Sequence, residues 1–136
     1  MGQQQLLLLV LGIVIVGLAV VVGIQAFSEN QKRSNLDGLV NDGVRIASDI
    51  QTWSLKPAIY GGPGTGEDWT DATFTKLGYT AETDGSYETA SGAFTLANGV
   101  LTGEGTVEGN GVTVEISGTR PEDVATTPSA TSTLSN

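Results

Sequence analysis

Six carboxylates crowd the middle of the chain: Glu67, Asp68 and Asp71, then Glu82, Asp84 and Glu88. Carboxylate oxygens are the ligands that Ca²⁺ selects, so these acids could hold a hard cation in the loops flanking the first strand. The ligand spacing of an EF-hand is absent, and solvated acidic loops are the expected state. Paired carboxylates can also cleave a glycosidic bond, but only across a cleft of fixed geometry, and these acids stand among turn formers. The glycine-rich run GGPGTG, Gly61–Gly66, lacks the lysine and following hydroxyl of a phosphate loop and reads as a connector. The chain contains no histidine and no cysteine. Ser-His-Asp and Cys-His nucleophiles, thiolate chemistry and the commonest metal ligands are therefore all missing. With no catalytic set in view, the expectation is a non-enzyme without cofactor or metal.

Charge divides the 136 residues in two. No residue from Met1 to Ser28 carries a side-chain charge, so all six Lys+Arg and all fifteen Asp+Glu lie beyond it. A net charge of −9 without a basic stripe excludes nucleic acid as the main partner, because phosphate binding needs clustered cations.

The elements that must position these residues begin with an apolar run. Leu6 to Ile24 reads LLLLVLGIVIVGLAVVVGI without one polar side chain, long enough to cross a bilayer as a helix. A cleavable secretory signal would carry a basic stretch before the apolar run, but Met1–Gln5 has no Lys or Arg, which argues against one. Lys32 and Arg33 follow the span, but Glu29, Asp37, Asp42 and Asp49 surround them and blunt any orientation signal. Ala19 and Gly23 form one small-xxx-small pair suited to close helix approach. Beyond the span, Leu36, Leu39, Val40, Gly43, Ala47, Ile50 and Trp53 recur at helical spacing with polar residues between them, which predicts an amphipathic helix ending near Lys56. Pro57 stops it. Gly38 and Gly43 imply either a bend or a close packing contact there.

From Tyr87 onward the chain turns to β chemistry. Tyr87–Thr89, Ala93–Ala97, Val100–Val107 and Val112–Gly118 read as strands, separated by the turn pairs Asp84-Gly85, Ser91-Gly92, Asn98-Gly99 and Asn110-Gly111. The apolar sheet face needs a cover, and the Leu36–Trp53 stripe is the partner of suitable length. Thr95, Thr113 and Glu115 would face water or a neighbouring subunit. Trp53 and Trp69 are expected to anchor the helix to the sheet. The Ser/Thr/Pro-rich segment from Pro121 reads as a flexible tail or an extended surface strap. The expected fold class is α+β, a long helix on an antiparallel sheet of about four strands. Residues 1-34 would form the apolar helix and its polar exit, 35-120 the head and 121-136 the tail.

An uncharged apolar N-terminal helix, its amphipathic continuation, a glycine-rich connector and a small antiparallel sheet together resemble the type IV pilins and pseudopilins. In that family a peptidase cuts after a glycine preceding the span. The corresponding bond here is Gly2–Gln3, and the fifth mature residue would be Leu7 where the family usually has glutamate. The resemblance implies a subunit of an extracellular type IV pilus-like filament, a fimbrium at the cell surface. Its core would be built from Leu6, Leu8, Leu9, Gly12, Ile13, Val16, Gly17, Val20, Gly23 and Ile24. The implied partners are copies of the chain itself, inner membrane lipid before assembly, and the pilus assembly machinery. Two other readings stay open: a membrane-anchored minor pseudopilin or secretion-system component, and a membrane-tethered module that binds a glycan or surface polymer.

Overall fold

The computed structural model describes residues 2–64, 66 and 68–130. The chain forms two compact units, divided between Arg33 and Ser34. One uninterrupted helix, α1 (Gly2–Ser54), supplies the whole of the first unit and the opening element of the second. In the first unit every described side chain as far as Gln31 is exposed.

The second unit is α+β. After α1 come a short 3₁₀ turn (Ala58–Tyr60) and a loop to residue 86, then five strands: β1 (Tyr87–Glu88), β2 (Gly92–Ala97), β3 (Val100–Gly105), β4 (Asn110–Ile116) and β5 (Val124–Ala130). They pair in chain order, each antiparallel to the next. The helix stops where expected. Lys56 N–H closes a last turn on the Trp53 carbonyl, 3.0 Å, and Pro57 then forbids helical geometry in the residue before it.

Alternation places Phe94, Leu101, Val112, Val114 and Ile116 on the inner sheet face, where they meet Leu39, Ile46, Ala47, Ile50 and Trp53 of α1. Phe74 and Ala72 of the long loop complete the core. The cover predicted for the sheet is therefore the one present. Ile46, absent from the predicted stripe, is fully buried and belongs to the same face. Gly43 explains how the helix comes so near: a Cβ there would stand 3.0 Å from Val114 Cγ2. Of the two readings of Gly38 and Gly43, close packing is the one observed, since the helix runs through both without interruption.

Polar clasps fix this packing at both ends. Asn35 donates to the Ser91 carbonyl (2.7 Å) and the Thr106 hydroxyl (3.0 Å), and accepts from the amide of Asn110 at 3.1 Å. At the far end the buried Gln51 amide donates to the carbonyls of Gly118 and Arg120, 2.8 and 2.7 Å. Buried amides placed this way select one position of the helix along the strands, because any slip leaves them without partners.

Three details depart from expectation. There are five strands, and the fifth comes from the segment read as a tail or strap: Val124–Ala130 pairs along the whole of β4. Residues 131–136 lie outside the described residues. The Asn110-Gly111 pair is not a turn but the start of β4; the turn falls at Val107–Asn110, with Gly109 at φ 88°. Asn110 is held in the strand because its side chain is buried against Asn35. Gly92 likewise lies within β2, 2.0 Å being all that separates an added Cβ from the Glu104 carbonyl oxygen, whereas Asn98-Gly99 forms the expected hairpin turn with both φ angles positive.

The loop between connector and sheet is pinned by aromatic residues. Phe74, Tyr79 and Tyr87 cluster, with the Tyr79 and Tyr87 rings 4.6 Å apart. The Tyr79 hydroxyl donates to the Asp49 carboxylate of α1. Burial, and then the bond to Asp49, push the Tyr79 phenol from 10.0 up to about 12.

Two expectations follow. A Cβ on Gly103 would stand 2.5 Å from Phe94 Cε1 and 2.9 Å from Val112 Cγ1, so Gly103→Ala should lower stability by about 1–3 kcal/mol and Phe94→Ala by about 3–5 kcal/mol. Urea unfolding followed by tryptophan fluorescence checks both, and an unchanged midpoint for Gly103→Ala would contradict the close contact. For Tyr79, the raised pKa means that its stabilising contribution is complete below pH 10 and is lost as pH rises towards 12, because the unfolded phenol ionises first. A tyrosinate absorbance titration should show a phenol ionising near 12 that vanishes in Tyr79→Phe.

Candidate assembly surface

The most unusual surface of this chain is the first half of α1. Its leucines, isoleucines and valines from Leu6 to Ile24 are each more than half exposed, as is Phe27. The helix forms because straight-chain and branched apolar residues run without proline, and its backbone groups are satisfied internally. It is the one described helix long and apolar enough to cross a membrane by length and composition, with none of that window buried by the protein.

At about 100° per residue, the ten positions from Leu6 to Ile24 assigned to a filament core fall within roughly half of the circumference. The other half, carrying Leu7, Leu11, Val14, Leu18 and Val22, is equally apolar. Chemistry therefore marks the whole cylinder as a surface to be covered, with no side kept for water. Gly12, Gly17 and Gly23 have open space where a Cβ would be, so nothing within the chain requires glycine there. Gly2 and Gln3 are helical and exposed, and a Cβ on Gly2 would meet open space among the described residues.

The acidic residues do not converge. Among the described residues no three acids come together in a way that would hold a metal ion. Asp68 and Asp84 each cap their own turn instead. Asp68 accepts from Thr70 N–H at 3.1 Å, and Asp84 accepts from the Ser86 hydroxyl and N–H at 2.6 and 3.0 Å. These bonds hold both carboxyls below the ordinary value of 3.8, led by the Thr70 N–H for Asp68 and by the Ser86 hydroxyl for Asp84. Glu67 lies outside the described residues. In the connector, Trp53 donates its indole N–H to the Gly61 carbonyl, 3.0 Å, which ties the loop back to α1. Trp53 is in the core and Trp69 packs on it partly buried.

The outer sheet face presents Thr95, Thr102, Thr113 and Thr127 as one row across β2 to β5 in register. Thr95 and Glu115 are exposed and Thr113 is half-buried. A further surface escaped the sequence reading altogether: Leu55, Ile59 and Tyr60 stand 63%, 91% and 77% exposed between the helix end and the connector. The available signal was positional. Leu55 lies just before Pro57, and Ile59 and Tyr60 between Pro57 and Gly61-Gly62, where neither a helical nor a strand period gives them a place in the core.

Comparison of the chain with protein families, with curated proteins and with solved structures returned no match. The architecture, a long apolar N-terminal helix with an antiparallel sheet, is pilin-like.

Proposed function

We propose that this chain is the structural subunit of an extracellular type IV pilus-like helical filament, held in the inner membrane through its apolar helix and polymerised through that same helix. The observation that carries the reading is the run Leu6–Ile24, apolar on all sides and exposed along its whole length among the described residues. Lipid covers it in a membrane; the equivalent helices of other copies cover it in a fibre. Withdrawing such side chains from water is worth roughly 1.5–3 kcal/mol each, so a bundle of these helices does not fall apart in an aqueous medium.

The second unit supports the same reading. Its core is complete without the apolar run, from Leu39 to Ile116. Its acidic surface keeps an assembled fibre soluble. No described group of residues offers a reaction, so a structural role is the one the chemistry favours.

Leu8→Lys or Gly17→Asp places a charge in the proposed core, at a cost of about 3 kcal/mol in an apolar helical environment. Negative-stain electron microscopy of sheared cell-surface material should show filaments of the natural chain and none of either variant, while near-ultraviolet circular dichroism of the variants retains the native head signal. Normal filaments from both variants would overturn the central bundle. Natural protein that remains in the membrane fraction, with no filament, would transfer the assignment to an anchored pseudopilin or a tethered binding module.

A further inference from the structure

The turn after α1 is built as a protrusion. Pro57 sets its entry, Tyr60 N–H donates to the Pro57 carbonyl at 3.0 Å, and Gly61 N–H donates to Ala58 at 3.1 Å. Gly61 takes a positive φ of 85°, and Gly62 passes so close to Lys56 that a Cβ would stand 2.1 Å from its carbonyl oxygen. With the indole of Trp53 holding Gly61, the turn is tied at both ends. What it presents is apolar: Ile59 is 91% exposed and Tyr60 77%. A preformed turn that holds such side chains in water loses little freedom when it docks.

The same unit contains a recess of about 370 Å³ between the loop and β2. Phe74, Ala81 and Leu96 give it apolar walls, Thr73 and Thr75 line it, and Asp84 borders it. A cavity of about 150 Å³ is enough to take a benzene ring, so this one admits a side chain the size of isoleucine or tyrosine.

We propose that the Ile59–Tyr60 knob seats in the Phe74–Leu96 recess of a second copy of this chain, joining successive subunits head to tail. The inference rests on the self-assembly reading above and adds a contact outside the apolar helix. Charge selects the occupant. With fifteen acids against six bases, two copies repel each other over most of their surface, and a cation facing a carboxylate offsets that repulsion where it occurs. Lys56 adjoins the knob and Asp84 borders the recess, so the two halves of the contact are complementary in charge as well as in polarity. A knob and a recess at different places on one chain make a heterologous contact, which propagates into an open polymer.

The chain has no cysteine, so introduced thiols report this contact alone. The full-length double variant Ile59→Cys, Thr75→Cys, oxidised in intact cells, should give a ladder of dimers, trimers and higher species on a non-reducing gel. Either single variant should lose the ladder, as should Ile59→Cys paired with Thr127→Cys on the outer sheet face. Lys56→Glu added to the double variant should remove most of it. Filaments without the ladder overturn the knob while the filament reading stands. A ladder without filaments supports the knob and overturns the filament. Dimers alone mean a closed reciprocal pair and overturn head-to-tail joining, an equal ladder from the Thr127 control overturns the specific contact, and neither ladder nor filaments overturns both.

Discussion

A helix with hydrocarbon around its whole circumference satisfies its backbone internally and offers water nothing, and the rest of this molecule is arranged around that constraint. From Leu6 to Ile24 there is no side on which α1 could rest against water, and its apolar side chains are exposed among the described residues. The remaining residues have to fold without that run. They do so by changing the character of the same helix: from Leu39 onward only one stripe is apolar, and the sheet buries it. Two kinds of surface thus follow each other on one continuous element, one left for an environment outside the chain and one used up within it.

The price of a small head is that its helix must be placed to within a fraction of a turn. About a dozen buried apolar residues form the core, so packing alone gives a shallow preference for any one position of helix on sheet. Asn35 and Gln51 supply the missing selectivity. Each is an amide with fixed donor directions, one at either end of the packed segment, and both point at carbonyls of turns whose conformation the sheet determines. Gly43 and Gly103 serve the same end from the apolar side, since each removes the Cβ that would hold helix, Phe94 and Val112 apart.

Much of this was legible from residue order, because period and polarity act locally. The apolar run, the stripe from Leu39 to Trp53, the hairpin at Asn98-Gly99 and the alternation in Val112/Val114/Ile116 each depend on neighbours a few positions away. What could not be read depends on distant partners. Asn110-Gly111 has the composition of a turn, and partners far away in sequence hold it in the strand: Asn35 at the Asn110 side chain and the flanking strands at its backbone. Val124–Ala130 has the Ser/Thr/Pro content of a tail; β4 recruits it because its edge would otherwise leave backbone groups unpaired. Ile46 dropped out of the predicted stripe although its spacing fits. The knob at Ile59 and Tyr60 was invisible for another reason: an apolar residue beside glycines carries no mark that says whether it will be buried or presented.

Acidity imposes the last constraint. Acidic heads repel at the spacing any polymer demands, and at physiological ionic strength that repulsion is screened only beyond about 8 Å. An apolar bundle can offset it, because burial there is short-ranged and insensitive to salt, but a bundle of featureless cylinders fixes neither rotation nor rise. Both halves of the cylinder are apolar, Leu7 included. In the proposed assembly, register would come from contacts with direction, among them those where one of the few cations meets an acid. In the proposed assembly the division of labour follows from composition: the uncharged helix would supply cohesion, and the charged head geometry.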